Sequence, residues 1–296
     1  MKRNKLYIIP LILSLFWGLT SCENDSPIEP TGIKPAGGIT LKLSMPRTAT
    51  SRATEEPGEE ALNENTIKTL DVFIYQEGAD ECLFYQHFAL SPELTGTGEH
   101  IDTLDVAQER FGLNINHTIY VVANNSTVIP SGGLSLTALK ALATSPLDAD
   151  KKQETFVMDG KYTMILNDGI VVNKEVPIIL RRAAAKIRIN LNYVNGFSPM
   201  DGETPSKKIV NYAVNGSSIS EGNISTPDLQ SMNTFTELNT GAGYNGRIIL
   251  YSYANDWTND PGKETYVLIN VPVKDADNNT STQNYYKIPV NYRLPD

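Results

Sequence analysis

The sequence predicts a mainly β protein built from two tandem β-sandwich domains, with one short helix in the first. Short segments such as residues 39–45 and 186–193 alternate strictly between apolar and polar side chains, which is the period of a half-buried strand. Gly, Asn and Pro separate many such segments, a pattern typical of β-sandwiches. Hydrophobic residues make up 40% of the 296-residue chain, enough to form hydrophobic cores. A boundary near Arg181-Arg182 divides the chain into residues 39–182 and 183–296.

The first 38 residues are predicted to export and tether the protein. Residues 1–21 have a basic start and an apolar run over 6–17, which is typical of a signal peptide and too short for a membrane span. The segment ends in Leu19-Thr20-Ser21-Cys22, which looks like the cleavage and lipidation site of a bacterial lipoprotein. An ordinary signal peptide with a chance cysteine is the alternative. Acyl chains on Cys22 would anchor the protein stably, and the polar, proline-rich residues 22–38 would form a tether.

Residues 39–45 are predicted to form the first strand. Its apolar face consists of Ile39, Leu41, Leu43 and Met45. Burial of each of these side chains would contribute ~1.5–3 kcal/mol. Removing the strand would uncover an apolar groove with unpaired backbone edges, which is a template for the addition of another strand. The acidic residues 46–65 have no apolar periodicity and are predicted to form an exposed, mobile loop.

The rest of the first domain is predicted to contain strands and one helix. The strands are expected at 69–75, 83–90, 118–123, 156–158, 162–166 and 176–180. Residues 118–123 are nearly all apolar or aromatic, which indicates a central strand covered on both faces. The helix is expected over 136–144, with Ser135 as its N-cap.

The second domain is predicted from the same strand signals. Strands are expected at 186–193, 209–214, 247–253, 266–273 and 286–292. Pro289 lacks a backbone N–H and therefore favours an edge position or a bulge for the last of them.

Composition and motifs argue against several function classes. Lys and Arg total 25 against 34 Asp and Glu, giving a net charge of −9, so a nucleic-acid-binding protein is not expected. Two cysteines exclude a disulfide framework, and three histidines argue against a His/Cys metal centre. The chain has no His-Glu-x-x-His, Gly-x-Ser-x-Gly or Walker A motif. The sequence therefore predicts no enzyme, no catalytic residue, no metal and no cofactor.

Four features, taken in order, resemble one known family. They are Cys22 in its lipidation site; the strand 39–45 followed by Thr50-Ser51-Arg52-Ala53; residues 67–75 (IKTLDVFIY) with 120–124 (YVVAN); and residues 180–187 (LRRAAAKI) with 285–290 (YYKIPV). Their order and spacing are similar to those of the fimbrillins, the FimA-like major fimbrial subunits (type V pilins) of Bacteroidota.

The resemblance implies assembly rather than catalysis. Such precursors are exported as lipoproteins to the outer membrane and are cut by an Arg- or Lys-specific protease after the first strand. The groove then accepts a C-terminal strand from a neighbouring fimbrial subunit, in an extracellular fimbrium that supports adhesion and biofilm formation. The resemblance also implies that each domain is transthyretin-like.

Arg52, with cleavage before Ala53, is the first candidate for the processing site. It lies in the loop that is best suited to proteolysis. Arg47 is the second choice, because Pro46 stiffens its flank and it lies nearer the strand. A solvated surface charge is the alternative interpretation of Arg52.

The sequence departs from the fimbrillin pattern at its C-terminal end. Fimbrillins of this type continue beyond the Tyr-Tyr-x-x-Pro-Val segment to a donor strand, whereas this sequence ends at Asp296. The second domain is therefore expected to be incomplete. A subunit that accepts a strand without giving one would end a filament, so a terminal, tip-like subunit is one hypothesis and a truncated gene product is another.

A second function class remains open, that of a lipid-anchored surface protein that binds glycans. Exposed aromatic rings would form its binding platform, and Trp257 beside Tyr251 and Tyr253 is the candidate. Core packing is the alternative interpretation of these aromatic residues.

Overall fold

The computed structural model describes residues 37–45, 62, 64–95, 99–223, 227–239, 242, 244 and 246–290. Its strands in the first half are β1 (Gly38–Ser44), β2 (Ile67–Gln76), β3 (Cys82–Leu94), β4 (Glu99–Ala107), β5 (Asn116–Ala123), β6 (Met158–Ile165), β7 (Lys174–Ile179) and β8 (Arg181–Arg182). Those that follow are β9 (Ala185–Ile189), β10 (Phe197–Pro199), β11 (Ser206–Val210), β12 (Tyr212–Ala213), β13 (Leu229–Gln230), β14 (Thr236–Glu237), β15 (Ile248–Ser252), β16 (Tyr266–Asn270), β17 (Val273–Asp275), β18 (Thr280–Ser281) and β19 (Tyr285–Pro289). Helix α1 spans Leu136–Lys140.

The first half of the chain is a β-sandwich of two sheets. One sheet has five strands in the order β3-β2-β5-β6-β8, and the other has three in the order β4-β1-β7. Alternate residues of both sheets form one buried cluster, which includes Leu41 of β1, Val72 of β2, Val121 of β5 and Val176 of β7. The predicted mainly β fold class is therefore confirmed.

Strand β5 lies at the centre of the five-stranded sheet and is covered on both faces. Ile119 and Val121 face the sandwich core, while Tyr120 and Val122 belong to a second cluster on the opposite face. Leu139 of α1 also belongs to that second cluster. The prediction of a central strand covered on both faces is confirmed. A strand in this position needs two apolar faces, since neither face is exposed to water.

Helix α1 begins as predicted and ends earlier than predicted. The Ser135 hydroxyl accepts a hydrogen bond from the backbone N–H of Ala138, which caps the first turn. The helix ends at Lys140, whereas the prediction extended to residue 144. Thr144 donates its backbone N–H to the carbonyl of Gly216, 2.9 Å away, and Ala143 forms a bridge to Ser217. Pairing with a distant segment thus ends the helix.

The second half of the chain contains smaller sheets around another core. Their orders are β14-β11-β16-β19, β15-β9, β10-β17-β18 and β12-β13. The predicted strand 209–214 is divided at Asn211, whose φ of 53° breaks the extended conformation. Strand β19, with Pro289 at its end, lies at the edge of its sheet, as its proline predicts. Leu62, Leu147 and Phe156 also belong to this core, although they precede the predicted boundary, and the division at residue 182 stays a prediction.

His117 makes the stability of the first half depend on pH. Its ring is buried at the start of β5 and packs edge-on against Phe111, with centroids 5.2 Å apart. Burial lowers the pKa of His117 below its ordinary value of 6.5, because the charged ring would lose its hydration. The unfolded chain therefore takes up the proton first, and the stabilisation from neutral His117 is lost as the pH falls below the unfolded pKa.

We expect the free energy of unfolding to decrease between pH 8 and pH 5.5, and to decrease less in His117→Phe. Phenylalanine keeps the aromatic packing and has no proton to take up. Urea unfolding of both proteins at both pH values tests this. An equal decrease in the two proteins would contradict it.

Candidate functional site

Strand β1 lies between β4 and β7 and is paired with both. It is antiparallel to β4, with Leu41 opposite Asp102, and parallel to β7, with Leu41 opposite Val176. In the sheet order β4-β1-β7, β1 is the strand that joins the other two. The backbone edges of β4 and β7 on this side are therefore satisfied by β1, and its removal would leave both unpaired.

The apolar face of β1 is buried in the sandwich core. Ile39 and Leu41 are 0% exposed and Leu43 is 2% exposed, whereas Met45 is partly buried and packs against the cluster. The strict alternation in the sequence produces this result, since successive side chains of a strand point to opposite faces. The predicted first strand is confirmed, and its displacement stays a prediction.

The opposite face of β1 is only partly buried and contributes little to holding the strand in the sheet. Lys42 Nζ lies 3.4 Å from Glu99 Oε2, and both side chains are largely in solvent. A surface ion pair of this kind is worth ~0–1 kcal/mol. The hydrophobic face and the two backbone ladders therefore hold β1 in place.

Both ends of β1 have defined contacts. At its start, Gly37 has a φ of 84°, and its carbonyl accepts a hydrogen bond from the backbone N–H of Gln108 at 3.2 Å. At its end, Leu180 donates its backbone N–H to the carbonyl of Ser44 at 2.8 Å. A cavity lies beside the last residues of β1, lined partly by Ser44, Met45 and Leu94. Within the described residues, each end of β1 is thus hydrogen-bonded to a neighbouring segment.

The sequence did not reveal β4, the antiparallel partner of β1. Its buried side chains include Leu104 and Val106, but its first half carries His100 and Asp102, whose Nε2 and Oδ2 are 2.7 Å apart. Polar residues in that half weaken the apolar signal. The alternation of Leu104 and Val106 with the polar residues 103 and 105 is the signal that could have identified the strand.

The end of the predicted loop 46–65 is buried, so the prediction of an exposed loop is wrong for its last residues. Leu62 and Glu64 are 0% exposed, and Asn65 is 4% exposed. Leu62 joins the second core because its aliphatic side chain is removed from water there. Residues 46–61 and 63 lie outside the described residues.

Glu64 is the centre of a buried ionic cluster. Its Oε2 is 2.8 Å from Arg182 Nη1, and its Oε1 is 2.9 Å from Lys186 Nζ. The hydroxyl of Tyr251 donates a hydrogen bond to Oε1 at 2.7 Å. Burial, and then the negative charge of Glu64, raise the pKa of Tyr251. The cluster ties the segment that follows the predicted cleavage site to β8, β9 and β15.

Asn124 fixes the same segment from the other side. Its φ is 58°, a conformation that asparagine tolerates better than most residues. Its side-chain amide donates to the carbonyls of Thr66 and Phe156 at 2.8 Å each, and its Oδ1 accepts from the backbone N–H of Lys68 at 2.8 Å. This residue ends the YVVAN segment, and its contacts give a structural reason for an asparagine there.

Several predicted site residues lie outside the described residues: Cys22, Arg47, Arg52 and Ala53. Lipidation and cleavage at these positions therefore stay predictions. Among the described residues, no helix is long and apolar enough to cross a membrane. The same part of the chain contains no cluster of His, Cys, Asp and Glu suited to a metal ion.

The aromatic residues suggested as a glycan platform are mainly core residues. Tyr251 is 1% exposed and Tyr253 is 6% exposed, and both pack in the second core. The Tyr251 ring lies 4.9 Å from that of Phe156, centroid to centroid. The alternative interpretation of these two tyrosines as core residues is confirmed, and Trp257 has no exposed platform with them.

Structural comparison finds similar folds in solved bacterial proteins. A proposed cell adhesion protein from Bacteroides eggerthii matches with a TM-score of 0.51 and 17% identity, covering 85% of this chain and 79% of that one. The tip fimbrial protein Mfa3 from Porphyromonas gingivalis, with a C-terminal truncation, matches with a TM-score of 0.51 and 13% identity, covering 86% and 81%. At these identities the likeness concerns the fold alone.

Sequence comparison identifies the family. The major fimbrium tip subunit FimD of Porphyromonas gingivalis is 25% identical over 315 residues, which cover 98% of this chain and 43% of FimD. This chain thus spans less than half the length of the curated relatives that it matches. The family model of the major fimbrial subunit protein (FimA) matches residues 38–217, beginning at the first residue of β1. Since that match covers more than half of the sequence, the chain belongs to the FimA family of major fimbrial subunit proteins.

Proposed function

We propose that this chain is a structural subunit of a cell-surface fimbrium and that its first strand is exchanged during assembly. The observation that carries the proposal is the position of β1, which lies between β4 and β7 and pairs with both in the described sheet. The segment between β1 and Leu62 contains both candidate cleavage sites, Arg47 and Arg52. Membership in a family of fimbrial subunits supports the structural role over a catalytic one.

Energetics favour replacement of β1 over its simple loss. Departure of the strand would uncover Ile39, Leu41 and Leu43, each worth ~1.5–3 kcal/mol of burial. It would also leave two ladders of backbone groups unpaired. A cut protein should therefore keep β1 bound until another strand with the same apolar alternation takes its place.

Processing would precede the exchange. We propose that the signal peptide 1–21 is removed, that Cys22 is lipidated and that the precursor is held at the outer membrane. An Arg-specific protease would then cut after Arg52, or after Arg47 as the second choice. The contacts of Glu64 would keep the downstream segment in place after the cut, so that β1 alone becomes detachable.

A terminal place in the fimbrium is the more specific form of this proposal. The relative FimD is named as a tip subunit, which supports a tip-like position for this chain. Purified protein cut at Arg52 should then form no ladder of homopolymers on a denaturing gel. Adhesion and biofilm formation would follow from the place of the subunit in the fimbrium.

Proteolysis combined with strand replacement tests the proposal. After treatment with an Arg-specific protease, we expect a cut between residues 45 and 62 and binding of a labelled peptide with the sequence of residues 38–45. The uncut double variant Arg47→Ala, Arg52→Ala should bind no peptide, because its own strand remains tethered and re-pairs faster. Mass spectrometry of the cut chain distinguishes Arg52 from Arg47.

Two controls make this test specific. A peptide with lysine in place of Leu41 and Leu43 keeps the length and should not bind, because its charges would enter the apolar core. Equal binding to cut and uncut protein would contradict strand exchange. A chain that the protease leaves unchanged would favour an anchor subunit or a glycan-binding protein instead.

A further inference from the structure

Lys207 is a buried lysine in the second half of the chain. It lies on β11, where its inward-facing side chain is 0% exposed. Its Nζ is 2.7 Å from Asp150 Oδ1, and it donates to the carbonyl of Glu237 at 2.8 Å and to Thr236 Oγ1 at 3.3 Å. It also lies 3.4 Å from Asn239 Oδ1. The amine is thus held against a carboxylate and a side-chain amide, away from water.

Asp150 contacts both the amine and the amide nitrogen. The Nδ2 of Asn239 donates to Asp150 Oδ1 at 3.0 Å, which is the same oxygen that Lys207 Nζ approaches. A second hydrogen bond from Nδ2 to the Asp150 carbonyl, 2.8 Å long, fixes the amide. The hydroxyl of Thr236 donates to Asp150 Oδ2 at 2.9 Å and orients the carboxylate. Asp150 Oδ1 therefore lies between the amine of Lys207 and the amide nitrogen of Asn239.

We propose that Lys207 and Asn239 become joined by an intramolecular isopeptide bond, with Asp150 as the acid–base residue. The ammonium of Lys207 gives a proton to Asp150, and the neutral Nζ attacks the Asn239 side-chain carbonyl carbon. The Nζ–Cγ bond forms and the Cγ–Nδ2 bond breaks. The second Nζ proton and the proton on Asp150 pass to the leaving nitrogen, which departs as ammonium. Atoms and charge balance without any co-reactant.

The surroundings favour this reaction for three reasons. The reacting groups are held close together by β11 and by the chain that follows β14, which removes the entropic cost of bringing them together. Lysine is a nucleophile only when neutral, and Asp150 Oδ1, 2.7 Å from Lys207 Nζ, is placed to accept its proton. Burial of the Lys207 side chain also keeps water from hydrogen-bonding its amine, and such hydrogen bonds would compete with the attack.

The bond would connect β11 to the segment that follows β14 covalently. Those two strands are paired only through Ser206 with Glu237 and Lys207 with Thr236. A covalent link would convert this short pairing into a closed loop that unfolding cannot open.

Intact mass spectrometry tests the proposal on the full purified chain after prolonged incubation at neutral pH. We expect a mass lower than that of the sequence by one ammonia, and a branched peptide that contains Lys207 and Asn239 after digestion. Asp150→Asn, which keeps the size of the side chain, and Asn239→Ala should both retain the full mass. Lys208→Met is the matched control, because it changes the neighbouring lysine on the other face of β11, and it should still lose ammonia.

Each other outcome is decisive. A wild-type chain of full mass would overturn the proposal. Loss of one water instead of ammonia would assign the link to Asp150 rather than Asn239 and overturn it also, as would loss of ammonia in Asn239→Ala. Circular dichroism tests whether each variant is folded. If a variant is unfolded, the presence or absence of the branched Lys207–Asn239 peptide in the wild-type chain decides whether the bond forms.

Discussion

Replacing Glu64 with alanine is expected to lower the free energy of unfolding by about 3–5 kcal/mol, as for other buried pairs from which one partner is removed. Glu64 is 0% exposed, and the side chain of Arg182, 2.8 Å away, is 3% exposed. Without the carboxylate, the guanidinium would lose its counter-charge inside the protein. The hydroxyl of Tyr251 would also lose the acceptor that lies 2.7 Å from it.

Urea unfolding followed by circular dichroism measures this effect. Glu81→Ala is the matched control, since Glu81 is exposed, and its free energy of unfolding should stay within about 0.5 kcal/mol of the wild-type value. Glu64→Gln separates charge from size and should also be strongly destabilised, because a neutral amide does not balance Arg182. A Glu64→Ala protein as stable as Glu81→Ala would contradict the importance of the cluster.

Replacing Leu41 with alanine is expected to cost about 2–5 kcal/mol of stability. Leu41 is 0% exposed and packs with Val72, Val121 and Val176 between the two sheets. The cost is the lost burial of the side chain together with the cavity that remains. The same substitution in cut protein should also shorten the time for which β1 stays bound.

The neighbouring residue provides the control for Leu41. Lys42→Ala removes a side chain on the opposite face and should cost at most about 1 kcal/mol, the upper value of its surface ion pair with Glu99. Both variants can be compared by urea unfolding before and after protease treatment. Equal effects of the two substitutions would show that the apolar face of β1 is not what holds it in the sandwich.

The sequence is informative where the local pattern and the tertiary environment agree. The alternation of residues 39–45 is enough to identify β1 and its inward side chains, and the apolar run of β5 is enough to place it at the centre of a sheet. In β1, apolar residues at every second position predict one buried face. In β5, an unbroken apolar run predicts two buried faces. The pattern does not give the neighbours of β1 in the sheet, because pairing depends on distant segments.

The features that the sequence pattern does not indicate depend on a few long-range contacts. Glu64 resembles the other acidic residues of its segment, and its contacts with Arg182, Lys186 and Tyr251 distinguish it. Lys207 stands beside Lys208 in the sequence, and a pair of lysines usually indicates a solvated strand end. One of the two is buried because the carboxylate of Asp150 lies opposite it. No periodicity in a single sequence carries that information.

The pairing of β1 has a consequence for the fimbrium as a whole under the proposed exchange. The slot is bordered by a parallel ladder to β7 on one side and an antiparallel ladder to β4 on the other. A strand inserted in the opposite direction would be parallel to β4 and antiparallel to β7. The existing edges do not match that arrangement, since parallel and antiparallel ladders have different hydrogen-bond patterns. Every junction would then have the same orientation. The resulting filament would be polar, with an open slot at one end and a free donor strand at the other.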